Sequence, residues 1–562
     1  MTIIGITLTH DGTVSVIRDG IHTFSLAEER INRIKGFLGF PFQGLRYLVH
    51  HRIVQPSEVQ AVAVSSGTFK KEWARSFALE LEEDKKYYDF QNDKPPKDFY
   101  INDTEWTQVT SDEECKRYVE KKIRKQLDAI GIKAPILFYD HHLCHATAAY
   151  IAGGKNESLA ITLDGEGDLK SCTINVCRNG AIENVASAPT ESSIGWLYSQ
   201  VTQNLGFKIS RHEGKITGLA AYGNPAVGWN ILKREVVLKN GLLYYPRSSK
   251  LHNILMRIRA KLGLEPFATN FFKSVVYKLT HLSREDMSAA VQYTLEERVA
   301  ELVNYWVNRT GIPHVVAAGG VFANVKLNQR IAELPSVKSF FVFPNMGDGG
   351  NAYGAALLAE KEITTLPFRT KRIDNVYLGP EYSNEEVLAC LQKHPELKHR
   401  ISTNIAKETA QLVANKKIVG WFQGRMEYGP RALGNRSVVA HPTDASINTW
   451  LNQRMKRSEF MPFAPACLYE AGEEVFVIPK ESMKFPAEFM TITFKMKEAW
   501  VKKAPAVAHV DVTARPQLVR KEVNPRYHSL ISEYKKITGL PLLINTSFNV
   551  HEEPIVMSPD DA

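Results

Sequence analysis

Cysteine is scarce in this chain: six cysteines are spread over 562 residues, and no two of them form a Cys-x-x-Cys pair. This spacing argues against zinc fingers and against a disulfide framework. No apolar run approaches the roughly 20 residues that a membrane-spanning helix needs. A strand-like segment begins at Thr2, where a signal peptide would place a basic and then an apolar segment. We therefore expect a cytoplasmic protein with reduced thiols and no membrane partner.

Charge of one sign is only slightly in excess. The chain has 70 Lys and Arg against 61 Asp and Glu, a net charge of +9, and the basic residues form no long tract. The pattern fits either a weak preference for anionic substrates or ordinary surface solvation, and we expect no nucleic-acid partner. With 44% hydrophobic residues, a chain of this length can form more than one domain with its own core.

The most informative feature is a segment that occurs twice. Residues 2–30 and 158–186 each contain an apolar strand that ends in an acidic glycine turn, an alternating strand, a two-residue turn and another strand. The two-residue turns are Asp-Gly and Asn-Gly, which supply the positive φ angles of tight hairpins. A duplicated β-meander, each copy followed by helical sequence, predicts two similar α/β lobes that face each other across a cleft.

That architecture is typical of the superfamily of acetate kinase, sugar kinases, Hsp70 and actin, and the alternative is two ordinary hairpins in an unrelated α/β protein. A polar segment, Thr364–Arg372, predicts a boundary between a first domain, 1–366, and a second α/β domain, 373–562. A charge-rich, mostly helical segment at 68–130 and an irregular, basic and aromatic segment at 225–285 predict two insertions in the first domain. Because the sequence stops directly after a strand-like segment, we expect a terminal element of the second domain to be missing.

A metal site is predicted by two histidines and two aspartates. His141 and His145 are four residues apart at the start of a helical segment, so both imidazoles can reach one ion, whereas His142 points elsewhere. Asp164 and Asp348 each lie in an acidic glycine turn. Such a donor set suits Fe(II), Mn(II) or Zn(II) and leaves positions for phosphate oxygens. The alternative is two helix-capping histidines and two turn aspartates.

A nucleotide site is predicted by a strand, a Gly-Gly turn and a helix start. Gly319 and Gly320 allow a phosphate to approach backbone N–H groups, and Asn324 can bond a ribose or a phosphate. Glu213 and Lys215 precede a helix of small residues and can hold a ribose hydroxyl and a phosphate. An exposed ion pair on a helix is the competing interpretation of that last pair.

The second half contains an arginine-rich, glycine-rich segment. Arg425, Arg431 and Arg436 lie within 18 residues together with several glycines and a proline, a composition typical of a shaped anion site. Further candidates for binding a phosphate or carbamate and a second nucleotide are Lys456, Arg457, Arg515, Asn545 and Ser547. No Ser–His–Asp order or cysteine-nucleophile signature stands out, which favours acyl transfer through an adenylate over a covalent enzyme intermediate.

Motifs along nearly the whole chain resemble those of the nodulation- and cephamycin-type O-carbamoyltransferases. The segments that carry the resemblance are Thr9–Gly12, Ala27–Arg33, His141–Ala146, Leu163–Gly165, Glu213–Ala220, Gly319–Asn324, Gly347–Gly350, Glu427–Ser437, Pro462–Pro465 and Asn545–Asn549. The resemblance implies a kinase-superfamily domain followed by a YrdC-like domain. The YrdC-like domain would form carbamoyl adenylate from carbamoyl phosphate and ATP with Mg²⁺.

The same resemblance implies roles for individual residues. Lys456 or Arg457, with Arg515 and Ser547, would grip carbamoyl phosphate and the ATP phosphates. The four predicted metal ligands would hold a divalent ion, expected to be iron(II), that orients the adenylate phosphate. His10 would help a hydroxyl of a small-molecule natural product attack the carbamoyl carbon, as general base or positioner. A homodimer is a further expectation.

Three departures from the family pattern are visible. Many relatives have Lys-x-Arg and a further Arg before Pro-Phe-Ala-Pro, whereas here Lys456 and Arg457 are adjacent and Met461 takes the place of that Arg. The choice between Lys456 and Arg457 as the phosphate ligand therefore stays open. Val512 replaces a common glycine.

Three other functions compete with small-molecule carbamoylation. The enzyme can carbamoylate a macromolecule, either tRNA or a protein cysteine, and binding to tRNA would depend strongly on salt. A non-catalytic nucleotide or metal sensor would bind ATP and release no pyrophosphate. A plain sugar or acid kinase would leave the arginine-rich second half without a role. The acceptor pocket is expected at the insertions, since loops carry specificity.

Overall fold

A computed structural model describes residues 1–8, 10–71, 105–246, 267–454, 462–550 and 553–562. In chain order the strands are β1 Thr2–Thr7, β2 Thr13–Arg18, β3 Ile21–Ala27, β4 Val59–Val64, β5 Ile136–Phe138, β6 Glu157–Gly167, β7 Lys170–Arg178, β8 Ala181–Pro189, β9 Val237–Lys239, β10 Leu242–Tyr244, β11 His314–Ala318, β12 Ser339–Val342, β13 Val419–Phe422, β14 Arg436–Ala440, β15 Ala464–Leu468, β16 Phe476–Val477, β17 Phe494–Met496, β18 Thr513–Ala514, β19 Gln517–Val519 and β20 Leu542–Ser547.

The α-helices are interspersed with these strands. They span Glu29–Asn32, Phe42–His50, Asp112–Ala129, His141–Gly153, Ile194–Asn204, Glu213–Ala220, Pro225–Glu235, Phe267–Tyr277, Arg284–Thr310, Val325–Ala332, Asn351–Thr364, Asn384–Gln392, Ile405–Ala414, Ser446–Arg454, Gly472–Val475, Lys484–Ala487, Glu498–Lys503 and Pro525–Thr538. Within the described ranges, no helix combines the length and apolar character that crossing a bilayer requires.

The first two sheets repeat one topology. The first has the order β3-β2-β1-β4-β5 and the second the order β8-β7-β6-β11-β12. In each sheet the first three strands in sequence form an antiparallel meander. The next strand, β4 or β11, pairs in parallel with the first strand of the meander, and the last strand, β5 or β12, pairs in parallel with β4 or β11. The prediction of a duplicated two-lobe α/β unit is therefore confirmed.

The hairpin turns of the two meanders adopt the same backbone conformation. Asp19 and Gly20 have φ angles of 48° and 76°, and Asn179 and Gly180 have φ angles of 49° and 76°. Two consecutive positive φ angles match the twist of the flanking strands, and Asp, Asn and Gly adopt them at the lowest steric cost.

Two helices lie between the lobes and carry the contacts that set their spacing. Helix Asn351–Thr364 packs on β1, β2 and β4, while helix His141–Gly153 packs on β6 and β11, and the two helices pack on each other. A Cβ added at Gly354 would lie 2.0 Å from the carbonyl oxygen of Cys144. This close approach requires glycine and brings the start of one helix next to the start of the other.

The second half contains a mixed sheet of order β13-β14-β20-β15-β19 and a small antiparallel sheet, β16-β17-β18. The predicted domain boundary falls in the coil after helix Asn351–Thr364, and its placement stays a prediction. The described parts of the predicted insertions contain helices Asp112–Ala129, Pro225–Glu235 and Phe267–Tyr277 and the hairpin β9–β10. Residues 72–104 and 247–266 of these insertions lie outside the described ranges.

Glu28 is a buried carboxyl group whose ionisation should govern stability near neutral pH. Its two oxygens accept hydrogen bonds from the backbone N–H groups of Gln43 (2.9 Å) and Gly44 (2.7 Å) at the start of helix Phe42–His50. Burial raises the pKa of Glu28 to about 7 and outweighs these two bonds, which lower it. Between pH 4.5 and 7 the folded protein thus holds a proton that the unfolded chain has lost, and stability falls as pH rises.

We expect the wild type to lose up to about 3 kcal/mol of unfolding free energy relative to Glu28→Gln as pH rises from 4.5 to 8. The substitution removes the ionisation at this position while keeping the size of the side chain. Denaturant unfolding of both proteins across this pH range measures the difference. Parallel pH profiles would show that Glu28 does not hold the extra proton.

Candidate active site and family

The four predicted metal ligands converge at the inner ends of the two lobes. Nε2 of His145 lies 3.1 Å from Nε2 of His141 and 3.2 Å from a carboxylate oxygen of Asp164. Nε2 of His141 lies 3.4 Å from a carboxylate oxygen of Asp348. One ligand atom from each residue falls within 4.8 Å of the others. Two imidazoles and two carboxylates at this separation can surround one divalent ion.

The electrostatics of the cluster favour a positive charge at its centre. Burial disfavours protonation of His141, but the nearby carboxylates of Asp348, Asp164 and Asp168 prevail and raise its pKa to about 9. Burial opposes ionisation of Asp164 and Asp348, yet the two histidines hold the pKa of both carboxyl groups below its usual range. A metal cation would satisfy the same carboxylates with neutral imidazoles.

Neighbouring residues that the sequence reasoning missed hold the histidine helix in place. Asp168 accepts hydrogen bonds from the backbone N–H groups of His141 (2.6 Å), Gly67 (2.9 Å) and Thr68 (2.8 Å), which joins the two lobes at the site. The side-chain amide of Asn351 lies 3.4 Å from the His141 ring. Asp168 directly follows β6 and ends the motif Asp-Gly-Glu-Gly-Asp that begins at Asp164 within that strand, so its position in the motif was the available signal.

His142 lies outside the ligand cluster. Its Nδ1 is 2.7 Å from Oγ1 of Thr162 and its Nε2 is 3.1 Å from the carbonyl oxygen of Lys170. Burial lowers its pKa to about 3, so the ring is neutral and links the helix to the second sheet. This arrangement agrees with the expectation that His142 points elsewhere.

The loop that carries His10 runs beside the turn of Asp348. His10 is exposed and its backbone bridges to Leu38. Oγ1 of Thr7 donates a hydrogen bond to the carbonyl oxygen of Asp348 (3.1 Å), which attaches the end of β1 to that turn. Burial, together with the charges of Glu29 and Asp348, raises the pKa of Asp11 to about 7. His10 thus lies in a loop next to the cluster, and its catalytic role stays a prediction.

The predicted phosphate turn lies against the metal cluster. Gly319 has a φ of 108°, and a Cβ there would lie 2.1 Å from the carbonyl oxygen of Leu163. The backbone N–H of Gly320 donates to a carboxylate oxygen of Asp164 (3.3 Å). The Gly-Gly turn is therefore shaped for close backbone packing and adjoins one metal ligand.

Asn324 belongs to a hydrogen-bond network beside that turn. Its side chain accepts from the backbone N–H of Leu327 at the start of helix Val325–Ala332 and donates to Oε1 of Gln292 (2.7 Å) and Oγ1 of Thr217 (3.3 Å). This network connects the helix to helix Glu213–Ala220. The described contacts of Asn324 are thus structural, and its contact with a nucleotide stays a prediction.

Glu213 and Lys215 begin helix Glu213–Ala220. Oε1 of Glu213 accepts hydrogen bonds from Oγ of Ser199 (2.9 Å) and the backbone N–H of Ser210 (2.7 Å). Lys215 is buried, with its Nζ 5.5 Å from the centre of the Phe207 ring. The competing interpretation, an exposed ion pair on a helix, does not agree with the burial of Lys215.

Two of the three predicted anion-binding arginines donate hydrogen bonds to backbone carbonyl oxygens within the protein. Arg425 donates through Nη2 to the carbonyl oxygens of Thr23 (2.8 Å) and Leu378 (2.6 Å), and through Nε to Gly379 (3.2 Å). Arg436 is fully buried, with its guanidinium 3.7 Å from the centre of the Phe422 ring. Its carbonyl acceptors belong to Gln423, Gly424, Asn435, Pro380 and Met557.

The sequence analysis assigned these arginines to a shaped anion site, whereas their described contacts are with backbone carbonyl groups of the protein. The glycines of this segment let the backbone pass close to the arginines. Its carbonyl groups therefore occupy the hydrogen-bond positions around the guanidinium groups. Buried Glu427 completes the loop by accepting from the backbone N–H groups of Leu433, Asn435 and Arg436. Sequence reasoning assigned no role to Glu427, although the motif Glu-Tyr-Gly-Pro-Arg contains it.

Replacing Arg436 by Lys should destabilise the protein by about 3 kcal/mol, because an ammonium group cannot reach the same set of carbonyl oxygens. Denaturant unfolding measures the loss. Under the opposite view, in which Arg436 grips substrate phosphate, the variant would keep its stability and show only a raised KM for carbamoyl phosphate.

Four of the remaining predicted residues of the second half lie at one end of the mixed sheet: Arg431, Arg515, Asn545 and Ser547. Asn545 donates to the carbonyl oxygen of Ala432 (3.1 Å) and to Oε1 of Gln517 (2.8 Å). Arg431 directly precedes Ala432, and Arg515 lies two residues before Gln517. Both arginines are therefore at the same end of the sheet. Ser547 follows on β20 and contacts Asn549. Lys456 and Arg457 lie outside the described residues, and all these roles stay predictions.

The loop between Arg425 and Arg436 also contacts the turn that contains Asp348, which we call the metal turn. The hydroxyl of buried Tyr428 donates to the carbonyl oxygen of Gly349 (2.5 Å), one residue beyond Asp348. Arg30 of the first lobe donates to the carbonyl oxygen of Gly429 (3.1 Å). The two halves therefore meet at a junction that includes the candidate metal site.

Comparison with known proteins places this arrangement in a family. The family model described as carbamoyltransferase N-terminus matches residues 2–357, and the one described as carbamoyltransferase C-terminus matches residues 410–562. The nodulation protein NolNO of Sinorhizobium fredii is 30% identical over 562 residues, which cover 99% of this chain and 76% of that protein. The nodulation protein NolO of Bradyrhizobium diazoefficiens is 34% identical over 429 residues, 75% of each chain.

Similarity to solved structures is weaker. A HypF from T. kodakarensis is 12% identical, with a TM-score of 0.36, over 65% of this chain and 48% of that one. The two family models together match most of the sequence and agree with the resemblance found in its motifs. The chain belongs to the carbamoyltransferase family and is a carbamoyltransferase.

Proposed function

We propose that this enzyme forms carbamoyl adenylate from carbamoyl phosphate and ATP in its second half and transfers the carbamoyl group to a hydroxyl of a small molecule in its first half. The observation that carries the proposal is the cluster of His141, His145, Asp164 and Asp348 beside the His10 loop. Activation consumes one water and releases pyrophosphate and phosphate. Transfer then forms the carbamate ester and releases AMP.

The residues present fit a divalent ion, for which we propose iron(II). The four ligand atoms are nitrogen and oxygen donors within 4.8 Å of one another, and the carboxylates already attract positive charge. When bound, such an ion supplies positive charge that orients the adenylate phosphate and stabilises the charge of the leaving AMP. Asp168 and Asn351 support His141 from outside the ligand set.

The chain's own groups have three tasks in the transfer step. His10, in the loop attached to the turn of Asp348, accepts the proton of the acceptor hydroxyl. The oxygen of that hydroxyl attacks the carbamoyl carbon. The backbone of Gly319 and Gly320 receives the adenylate phosphate beside Asp164. Glu213 and Lys215, at the start of the neighbouring helix Glu213–Ala220, bind the ribose and a phosphate of the nucleotide.

Activation is assigned to the end of the mixed sheet that contains Arg431, Arg515, Asn545 and Ser547. A guanidinium binds the oxygens of phosphate with directed hydrogen bonds, and Mg²⁺ accompanies ATP. The side chain of Lys456 or Arg457 would add the remaining positive charge. The junction through Tyr428 then connects the activation half to the metal turn.

The half-reaction provides the direct test. Purified protein is incubated with ATP, Mg²⁺ and carbamoyl phosphate without acceptor, and pyrophosphate and carbamoyl adenylate are followed by mass spectrometry. Adenylate that depends on carbamoyl phosphate supports the proposal. ATP binding without pyrophosphate release would contradict it and favour a nucleotide sensor.

The proposal extends to the acceptor and to the oligomeric state. We propose a small-molecule hydroxyl acceptor that binds near the insertions, and a homodimer. Carbamoylation of a tRNA or a protein cysteine is the second candidate. Salt-dependent tRNA binding, or carbamoyl transfer to a protein thiol, would favour that candidate.

Loss of the Tyr428 hydroxyl should uncouple the two half-reactions. In Tyr428→Phe we expect acceptor carbamoylation to fall about tenfold, because the Asp348 turn loses a hydrogen bond that fixes it, while adenylate formation is unchanged. Tyr377→Phe is a matched control, since that hydroxyl donates to the carbonyl oxygen of Leu433 within the second half. Equal losses of transfer in both variants would argue against this coupling.

A further inference from the structure

A second group of side chains with metal-ligand atoms, distant in sequence from the first, consists of Cys390, His394 and Asp560. Helix Asn384–Gln392 contains Cys390, and His394 follows two residues after the end of this helix. Asp560 belongs to the turn that follows the last strand. Sγ of Cys390 lies 3.2 Å from Oδ1 of Asp560, and Nε2 of His394 lies 4.0 Å from the same oxygen.

These separations are close to those of a tetrahedral zinc site. With Zn–S near 2.3 Å and Zn–O and Zn–N near 2.0 Å, tetrahedral geometry separates sulfur from oxygen by about 3.5 Å and nitrogen from oxygen by about 3.3 Å. The observed 3.2 Å and 4.0 Å need only small rotations of the side chains. The three ligand atoms all lie within 4.8 Å of one another.

Two neighbouring contacts orient the ligands. Oε1 of Glu396 lies 3.2 Å from Nδ1 of His394, the hydrogen bond that fixes the ring with Nε2 free to face a metal. The carboxylate of Asp561 accepts from the backbone N–H groups of Met557 and Ser558 (both 2.9 Å), which holds the turn of Asp560 in shape. Asp560 and His394 are partly exposed, so an ion has a path to the site.

We propose that Cys390, His394 and Asp560 bind a zinc ion, with water as the fourth ligand, and that this ion fastens the turn Ser558–Asp561 to helix Asn384–Gln392. One thiolate, one imidazole and one carboxylate form a donor set that suits Zn(II). Binding releases the thiol proton of Cys390 to solvent and involves no change of oxidation state.

The position of the turn gives the site a structural consequence. Arg33 of the first lobe donates to the carbonyl oxygens of Pro554 (2.7 Å) and Ile555 (2.8 Å) and lies 3.6 Å from the carboxylate of Asp561. A zinc ion on Asp560 therefore tightens a segment that joins the two halves of the molecule. Zinc binding should raise the thermal midpoint of the protein.

Cobalt(II) distinguishes this site from the first one, because a cobalt–thiolate bond gives an intense near-ultraviolet band and the cluster of His141 contains no sulfur ligand. Metal-free protein is titrated with Co²⁺. We expect a thiolate band with the final intensity of one cobalt–thiolate site per chain, which disappears when Zn²⁺ is added. In His145→Ala, which weakens the first site, the band should persist and saturate at about one equivalent of Co²⁺. The band should be lost in Cys390→Ser and kept in Cys467→Ser, whose cysteine is buried in the mixed sheet.

Substitutions of the other ligands test the geometry. His394→Gln and Asp560→Asn should each weaken Co²⁺ binding at the thiolate site at least tenfold, and Glu396→Gln should weaken it about tenfold through loss of ring orientation. Zn²⁺ should raise the thermal midpoint of His145→Ala but not of His145→Ala combined with Cys390→Ser. Absence of a thiolate band in wild type, or a band that survives Cys390→Ser, overturns the proposal.

Discussion

Asp348→Asn is expected to lower carbamoyl transfer to an acceptor by about 10²-fold or more while leaving the formation of carbamoyl adenylate near wild type. The substitution removes one negative ligand from a cluster of two carboxylates and two imidazoles. Removing one preorganised group that stabilises developing charge costs about 10²–10³ in rate. Metal content should fall with transfer, because the site loses one negative charge and an amide oxygen is a weaker metal ligand than a carboxylate.

The effect is expected on transfer alone because the two steps are proposed to use different residues. Arg431, Arg515 and Asn545 lie at one end of the mixed sheet, whereas Asp348 lies between the lobes of the first half. Pyrophosphate release without acceptor reports on the first step, and the carbamoylated acceptor reports on the second. Metal analysis of the purified variant gives the third measurement.

Glu166→Gln is the control for this substitution. Glu166 lies on β6 two residues beyond Asp164, is exposed and is not part of the ligand cluster. It should keep metal content and transfer. If Asp348→Asn instead lost both half-reactions and unfolded at a lower temperature, the role of Asp348 would be structural.

The repeated pattern in the sequence was sufficient to predict the two lobes. Alternation of apolar residues and the Asp-Gly and Asn-Gly turns specify each meander locally, and the same strand order then follows in both sheets. The spacing of His141 and His145 predicts a shared helix face. Their meeting with Asp164 and Asp348 also follows, because strands at equivalent positions in the two lobes end at the same cleft.

The second half was harder to predict for a physical reason. Composition shows that Arg425 and Arg436 are close to glycines, but it does not show whether carbonyl groups or solvent face their guanidinium groups. In the structure, carbonyl groups more than 40 residues away in sequence, such as those of Leu378 and Pro380, accept from them. Such long-range partners have no local signal. The same holds for Tyr428 and its contact with Gly349.

Gly354→Ala is expected to destabilise the fold strongly, although it adds only one methyl group. The added Cβ would lie 2.0 Å from the carbonyl oxygen of Cys144, a backbone atom that cannot move without its helix. Overpacking that displaces a backbone exceeds the usual range of point substitutions, and we expect a loss of about 4 kcal/mol or more. The two helices that would separate are His141–Gly153 and Asn351–Thr364.

The same separation should damage the metal site, because one helix carries both histidines and the other directly follows the turn of Asp348. We therefore expect Gly354→Ala to lose metal affinity in any fraction that remains folded. Gly214→Ala is the control for stability: its Cβ would meet nothing within 4 Å, and alanine favours the helix. Thermal unfolding and metal titration of the two variants measure both effects. If Gly354→Ala kept wild-type metal affinity after losing stability, the ligand geometry would be set by the turns themselves and not by the spacing of the helices.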